Sequence, residues 1–283
     1  QLECKSAILM EQTTGQVLYE MNADAPMPPA SITKIMTLLL TFEAMDQGKF
    51  QYDTLLSCSE HAASMGGSQI WLEPGEEMTV DEILRATFIS SANDAAVVLA
   101  EAVAGSEDAF VSMMNEKAKE LGMENTHFAN ATGLDAQEHY STARDIALMS
   151  AALLRYPDVT RYSTVWMDSL RGGTTELVNT NKMVRFYNGA TGLKTGTTNG
   201  AGSCLSASAQ RDNLSLIAVS LGSDTSAQRF ASCRTLLDYG FANYVTVQPP
   251  SLQEQLTPVP VLHGVQRQVD LAYDLPPSFV MKR

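Results

Sequence analysis

The order of the hydrophobic patterns along the 283-residue chain is the feature that most constrains its fold. Alternating apolar runs predict strands near the two ends of the chain, at residues 6–11, 16–21, 203–209 and 214–221. Apolar residues at three- and four-residue spacing predict helices at residues 32–44, 141–154 and 225–244. Between residues 79 and 122 they predict three helical segments, at 80–88, after Asn93 and at 107–121. Neighbouring strands joined by short turns pair antiparallel. We therefore expect an α/β (α+β) sandwich, an antiparallel sheet covered by helices, and not a regular βαβ array.

The composition changes after residue 247. Residues 248–258 are rich in Pro and Gln, which predicts a linker, and valines alternate on both sides of a turn at His263-Gly264. Two strands alone are marginally stable, so this unit must pack on something else or belong to something larger. We expect a main domain at residues 1–247, the linker, and a short C-terminal β segment at residues 259–283.

The charge balance narrows the range of partners. Lys and Arg number 19 and Asp and Glu number 32, which gives a formal net charge of −13. An acidic surface repels phosphate backbones, so we expect no nucleic-acid partner, and a site for an anionic substrate must gather a few cations locally. The four histidines show no ligand spacing, so we expect no metal and no cofactor. A disulfide stays open among the four cysteines, which lack a C-x-x-C pair: Cys4, Cys58, Cys204 and Cys233.

Three short motifs occur once each and in a fixed order: Ser31-Ile32-Thr33-Lys34, Ser91-Ala92-Asn93 and Lys194-Thr195-Gly196. The first two are each expected about once by chance in such a chain, and K-T-G far more rarely. The ordered set is therefore the informative signal. S-x-x-K, S-x-N and K-T-G together are typical of penicillin-binding proteins and class A β-lactamases.

The first motif suits nucleophilic catalysis. A serine hydroxyl is a poor nucleophile at neutral pH and needs an adjacent base. Ser31 and Lys34 are three residues apart, so a helix presents them on one face. The backbone N–H of Ser31 at the helix start can stabilise an oxyanion. Lys34 can act as a base only when it is neutral, and burial together with the charge of Lys194 would lower its pKa in that direction.

Each of these residues also has an ordinary structural interpretation. Ser31 could be a helix N-cap, Lys34 a solvated surface charge, and Asn93 the cap of the next helix. Lys194 could be an edge charge and Gly196 a bulge. The catalytic interpretation is favoured because, under the ordinary interpretations, the three motifs would have to occur together in this order by independent coincidences.

Five stretches of the chain resemble the low-molecular-weight penicillin-binding proteins, the serine-type D-alanyl-D-alanine carboxypeptidases of bacterial cell walls: AILMEQTTGQVLYEMNADAPMPPASITKIMT, SSANDAAVVLAEAVAGS, HFANATGLD, YSTARDIALM and GLKTGTTNGAGSCLSASA. The resemblance covers about residues 3–247, and the tail resembles the start of that family's C-terminal β domain. It implies a β-lactamase/transpeptidase-like fold. It also implies an enzyme that removes the terminal D-alanine from peptidoglycan stem peptides through an acyl-enzyme. β-Lactams would acylate the same enzyme.

The resemblance assigns roles to the first two motifs. Ser31 would be the acylated nucleophile and Lys34 its base. Ser91 and Asn93 would line the second wall of the site, with Ser91 passing the proton to the leaving amine. The backbone N–H groups of Ser31 and Thr197 would form the oxyanion hole.

The resemblance also assigns the carboxylate-binding side. Lys194 and Thr195 would contact the terminal carboxylate of the substrate, and Gly196 would let the substrate backbone lie against the strand. Arg229, in the segment LGSDTSAQRF, would help to hold the same carboxylate. Ala92 stands where the family often has glycine, which is a mild departure.

The family acts outside the cytoplasm, at the cell wall or periplasmic face. Because the chain opens at Gln1, we expect that an export signal has been removed. The family's membrane-anchoring amphipathic helix is not in this sequence, so any peripheral membrane association is expected to depend on a missing C-terminal segment.

Two rival functions stay open. A β-lactamase needs an efficient deacylating base, and Glu176-Leu177-Val178-Asn179 is one residue short of the E-x-x-L-N pattern of the class A type. We therefore expect slow deacylation. A non-catalytic sensor that traps β-lactams or wall peptides is the second rival, and the intact set of motifs argues against it.

Overall fold

The computed structural model describes residues 2–247, 255–272 and 278–283. Its α-helices are α1 Lys34–Asp46, α2 Glu60–Ala63, α3 Val80–Ile89, α4 Asn93–Ala104, α5 Glu107–Glu120, α6 Ala143–Leu153, α7 Thr160–Ser163, α8 Met183–Phe186 and α9 Ser226–Asn243. Its strands are β1 Ser6–Glu11, β2 Val17–Met21, β3 Leu55–Ser57, β4 Glu77–Thr79, β5 Met167–Leu170, β6 Thr175–Val178, β7 Ala190–Thr198, β8 Gly202–Arg211, β9 Leu214–Ser223, β10 Tyr244–Val247, β11 Val259–Pro260, β12 Gln268–Val269 and β13 Phe279–Lys282. Short 3-10 helices span Ala30–Thr33, Pro157–Val159 and Arg171–Gly173.

A five-stranded antiparallel sheet has the strand order β2-β1-β9-β8-β7. The N-terminal hairpin β1-β2 therefore lies beside strands from the second half of the chain, with Ser6 opposite Leu221. The turn between β8 and β9 is short, because β8 continues to Arg211, two residues beyond its predicted end, and β9 begins at Leu214 as predicted. The predicted antiparallel sheet built from the two ends of the chain is confirmed.

Helices cover both faces of this sheet. In β9, Ile217, Val219 and Leu221 belong to a large core shared with α1, α3, α4 and α6. The alternate residues Leu216 and Ala218 belong to a second core that α9 covers. Because successive strand residues point to opposite faces, one strand serves both cores. The predicted sandwich of helices and sheet follows from this alternation.

Side-chain caps fix the starts of the predicted helices. Thr79 accepts a hydrogen bond from the backbone N–H of Glu82, whose carboxylate accepts in return from the backbone of Thr79, and this capping box begins α3. Thr142 caps α6 and Thr225 caps α9 in the same way, by accepting from the backbone N–H groups of Asp145 and Gln228. The three helical segments predicted between residues 79 and 122 are present as α3, α4 and α5.

Two local features differ from the sequence prediction. The helix expected from residue 32 begins at Lys34, because the preceding turn Ala30–Thr33 is a 3-10 helix. Strand β10 pairs with β13, a pairing that the sequence pattern did not predict. The predicted tail hairpin is present as the short pair β11 and β12.

The predicted linker at 248–258 falls largely outside the described residues, so the division into domains stays a prediction. All four cysteines lie within the described part and are free thiols, with Cys4 partly exposed and Cys58, Cys204 and Cys233 buried. None of the helices in the described ranges combines the length and the apolarity that a bilayer crossing requires.

Candidate active site

The 3-10 turn and the first residue of α1 bring Ser31 and Lys34 together. The Nζ of Lys34 lies 2.9 Å from the Oγ of Ser31 and donates to the backbone oxygen of Thr132 at 2.8 Å. The side chain of Lys34 is fully buried. The serine hydroxyl and the amine therefore form a direct pair, as a nucleophile and its base require.

The electrostatic surroundings favour the neutral form of the Lys34 amine. Burial is the largest effect and holds the pKa of Lys34 well below its usual value. The positive charge of Lys194 lowers the pKa of Lys34 further, and the buried carboxylate of Asp94 opposes both effects. A neutral amine has a lone pair that can take the proton of Ser31.

The second motif occupies the bend between α3 and α4. Ser91 has a φ of 60°, in the left-handed region that non-glycine residues seldom adopt. Its Oγ accepts a hydrogen bond from Lys194 Nζ at 2.8 Å. Asn93 opens α4, and its Nδ2 donates to the backbone oxygen of Gly66 at 2.7 Å. Its buried Oδ1 has no hydrogen-bond partner among the described residues and is a free acceptor.

The third motif lies on β7, an edge strand of the central sheet. Lys194 is buried there, and burial lowers its pKa to about 7, with the charge of Arg229 adding to the effect. The Oγ1 of Thr195 lies 2.6 Å from the Oγ1 of Thr180. A lysine of this kind can change its protonation state near neutral pH.

Gly196 is required by the protein's own packing. A Cβ at this position would lie 2.9 Å from the Cβ of Ala30 and 3.0 Å from the backbone nitrogen of Ser31. Because real Cβ atoms avoid such distances, only glycine lets β7 approach the turn that carries Ser31. Gly196 was expected from the resemblance to admit the substrate backbone, and the structure shows that the approach of the serine turn requires it as well.

Arg229 reaches the same strand from α9. Its Nη1 donates to the backbone oxygen of Gly196 at 2.9 Å and to the Oγ1 of Thr197 at 2.8 Å. The guanidinium group is buried, and burial lowers its pKa. Arg229 therefore contributes positive charge close to Thr197 and fixes the conformation of the strand.

Three contributors to the site were not predicted from the sequence. Thr132 acts through its backbone oxygen, which no residue-type pattern reveals. Asp94 is fully buried and accepts hydrogen bonds from the backbone N–H groups of Ile70 and Leu72. Thr180 contacts the threonine of the third motif. Of these, only Asp94 could have been found from the sequence. It directly follows Asn93 of the second motif and lies in the first turn of α4.

The structure brings all the predicted site residues into one cluster, linked by the contacts above or by adjacency in the chain: Ser31, Lys34, Ser91, Asn93, Lys194, Thr195, Gly196, Thr197 and Arg229. Three basic side chains, Lys34, Lys194 and Arg229, are thereby concentrated in an otherwise acidic protein. Among the described residues no group of three or more His, Cys, Asp and Glu side chains could hold a metal ion.

The site consists of a serine paired with a buried lysine and a second serine bonded to another lysine, beside an antiparallel sheet between helices. This arrangement defines a serine acyl-transfer enzyme of the penicillin-binding type. Comparison with known proteins gives the particular family. The sequence profile of the D-alanyl-D-alanine carboxypeptidase family matches residues 1–225, so the chain belongs to this family of serine-type peptidases.

Relatives and solved structures agree with that membership. The chain is 47% identical to D-alanyl-D-alanine carboxypeptidase DacF of Bacillus subtilis, over 99% of this chain and 73% of the relative. It is 36% identical to D-alanyl-D-alanine carboxypeptidase DacA of Escherichia coli, over 97% of this chain and 70% of the relative. Penicillin-binding protein 5 of Haemophilus influenzae superposes with a TM-score of 0.90 at 29% identity, covering 100% of this chain and 83% of that one.

These findings confirm the resemblance, the transpeptidase-like fold and the D-alanyl-D-alanine carboxypeptidase activity expected from the sequence. The family's substrate is part of the bacterial cell wall, so the protein works outside the cytoplasm.

Proposed function

We propose that Ser31 is the nucleophile and Lys34 the general base with which this carboxypeptidase removes the terminal D-alanine of peptidoglycan stem peptides. The observation that carries the proposal is the 2.9 Å distance between Lys34 Nζ and Ser31 Oγ, together with complete burial of the amine. A desolvated lysine is a base at neutral pH, and a base within hydrogen-bond reach can activate a serine.

Acylation follows from this geometry. The Oγ of Ser31 attacks the carbonyl carbon of the D-Ala-D-Ala peptide bond while Lys34 takes its proton. The backbone N–H groups of Ser31 and Thr197 stabilise the negative charge on the carbonyl oxygen. Ser91 gives its hydroxyl proton to the leaving amine and takes a proton from Lys194, whose Nζ lies 2.8 Å from its Oγ. Lys34 is therefore protonated and Lys194 neutral at the end of this step. The C–N bond breaks, D-alanine leaves, and the peptidyl ester on Ser31 remains.

The terminal carboxylate of the substrate is bound at the other side of the site. Lys194 and Thr195 supply a charge and a hydroxyl on β7, and Gly196 keeps this strand close to the serine turn. Arg229 acts through Thr197, whose hydroxyl it contacts, and adds positive charge behind the strand. Charge-assisted contacts of this kind favour a substrate that ends in a carboxylate.

Water then hydrolyses the ester and regenerates Ser31. β-Lactams acylate the same serine, because their ring amide mimics the D-alanyl peptide bond. Listeria monocytogenes penicillin-binding protein D2, which is 31% identical over 85% of this chain, has been solved in a cefotaxime-bound form. Glu176 is exposed on β6, whereas an efficient deacylating base must be held at the ester. This exposure supports slow release of the β-lactam.

The test is the mass of the intact protein during incubation with benzylpenicillin. Wild-type protein should gain one penicilloyl group and Ser31→Ala none, with Ser112→Ala, an exposed serine of α5, as the matched control. Labelling of Ser31→Ala would show that another residue is the nucleophile. Release of D-alanine from a pentapeptide separates the enzyme from a non-catalytic sensor, which would be labelled without releasing D-alanine.

The proposal includes the organisation of the whole protein. The main domain at 1–247 carries every site residue, with a linker at 248–258 and part of a C-terminal β domain at 259–283. Because the substrate lies outside the cytoplasm, we propose a removable export signal and peripheral association with the membrane surface. Fractionation of cells that produce the full-length protein tests both points, and a cytoplasmic location would contradict them.

A further inference from the structure

A buried histidine lies directly behind the serine–lysine pair. His139 precedes α6 and is 5% exposed. Its Nδ1 accepts a hydrogen bond from the backbone N–H of Ala129 at 2.9 Å, and its Nε2 lies 2.8 Å from the Oγ1 of Thr33. A neutral imidazole carries one proton, and Nδ1 is occupied as an acceptor. The proton is therefore on Nε2, which donates to Thr33.

The two partners of this ring belong to the two segments that build the catalytic pair. Thr33 stands between Ser31 and Lys34 in the 3-10 turn. Ala129 is at the start of a segment whose backbone oxygens hold α1, since Thr132 accepts from Lys34 at 2.8 Å. Within the same segment, the oxygen of Ala131 accepts from Thr37 Oγ1 at 2.7 Å. The imidazole is thus a bridge between the serine turn and the segment that aims the lysine.

We propose that His139 is a positioning residue for the reaction: as the Nε2–H tautomer it ties the turn that carries Ser31 to the segment whose Thr132 oxygen orients Lys34. The inference rests on the proposed roles of Ser31 and Lys34. When the ring is removed, the segment loses its bond at Ala129, and the Thr132 oxygen is held less firmly relative to α1, through the Thr37–Ala131 bond alone. The lone pair of Lys34 then points less consistently at the serine hydroxyl, and water can reach the amine.

The bridge requires a neutral ring, and the surroundings favour one. Burial, with the nearby His127 adding to it and Asp135 opposing it, lowers the pKa of His139 to about 4. A protonated ring would present an N–H on Nδ1 towards the N–H of Ala129 and would lose that bond. Near neutral pH the bridge is therefore intact. The charged groups that act on Lys34 itself are Lys194 and Asp94.

The test separates binding from the acylation step. We would measure the rate constant of acylation by benzylpenicillin and its half-saturation concentration as functions of pH. His139→Ala should lower the acylation rate constant about 10- to 100-fold with little change in half-saturation, because misplaced catalytic groups slow the chemical step. The acid side of the pH profile should move to higher pH, since water around Lys34 raises its pKa towards the ordinary value.

Two near-isosteric variants test the two ends of the bridge. His139→Gln keeps a donor for Thr33, and His139→Asn keeps an acceptor for Ala129, so each should fall between wild type and His139→Ala. Phe128→Leu is the packing control, because the rings of Phe128 and His139 lie 5.9 Å apart and the substitution leaves both hydrogen bonds in place. It should lower the melting temperature without moving the acid side of the profile.

Several outcomes overturn the inference. The first is a wild-type acylation rate constant and pH profile in His139→Ala. The second is a change in His139→Ala that affects only the half-saturation concentration of benzylpenicillin. The third is a shift of the pH profile in Phe128→Leu that equals the shift in His139→Ala. If His139→Ala does not fold, wild-type rates in both His139→Gln and His139→Asn overturn it. Failure of the wild-type protein itself to become acylated would instead contradict the proposed function.

Discussion

Lys194 on β7 donates to Ser91 in the bend between α3 and α4, with 2.8 Å between Nζ and Oγ, and this bond joins two motifs that are 103 residues apart. The backbone of Ser91 is in the left-handed region, so its conformation is imposed by the surrounding structure. The lysine fixes the hydroxyl oxygen as an acceptor and leaves the hydroxyl proton free. The pair is therefore arranged to give a proton to a group bound between the two motifs.

Lys34→Met should abolish most of the acylation. The substitution removes the proposed base but keeps a side chain of similar length, and general base catalysis contributes roughly 10²- to 10⁴-fold. We expect penicillin acylation to slow at least about 100-fold on that basis. The melting temperature should be maintained or raised, because a buried amine no longer has to be desolvated. Stopped-flow acylation and thermal unfolding check the two effects, with the exposed Lys119→Met as control. Acylation at the wild-type rate would exclude Lys34 as the base.

Lys194 should make folding stability depend on alkaline pH. Burial lowers its pKa from 10.5 to about 7 in the folded protein, so between these values the unfolded chain binds more protons than the folded one. The free energy of unfolding contributed by this group must then increase as the pH rises through that window. Urea unfolding at a series of pH values should show a smaller increase for Lys194→Met than for wild type. Identical slopes for the two proteins would assign the effect to other groups.

Gly196→Ala should damage both stability and activity. The added Cβ would lie within 3.0 Å of Ala30 and of the Ser31 backbone nitrogen, so β7 must move away from the serine turn. Overpacking of this kind costs about 1–3 kcal/mol in the free energy of unfolding. We expect that loss together with a slower acylation step, measured by denaturant unfolding and by penicillin labelling. In the control Gly200→Ala the new Cβ meets only the movable carboxylate of Asp135. Equal effects of the two substitutions would argue against the close approach as the cause.

The β-lactam adduct should be long-lived. Glu176 is exposed on β6, so the segment that resembles a β-lactamase glutamate loop does not hold a buried base. After removal of free benzylpenicillin, the intact-mass signal of the penicilloyl protein should persist, and nitrocefin turnover should be slow. Rapid return of the unmodified mass with fast nitrocefin hydrolysis would favour a β-lactamase.

The sequence was sufficient for the sheet, the main helices and the residues that meet at the site. Strand periodicity near the chain ends and helical spacing in the middle are local signals, and the three motifs identify side chains by type. Patterns of residue type do not identify backbone groups, so the Thr132 oxygen that accepts from Lys34 was not predicted. The pairing of β10 with β13 depends on long-range contact, and no turn signal marks it. Arg229 was placed at the site by resemblance alone, and only the structure shows that it acts on Gly196 and Thr197.

The position of β9 between β1 and β8 has a consequence for folding kinetics. Until residue 223 has been added, β1 and β8 each present an unpaired edge, and such edges invite association with other chains. Pairing of Ser6 with Leu221 closes a loop of more than two hundred residues, and contacts of high sequence separation slow folding. The late arrival of one central strand therefore sets when β1 and β8 lose their exposed edges and the sheet behind the site is complete.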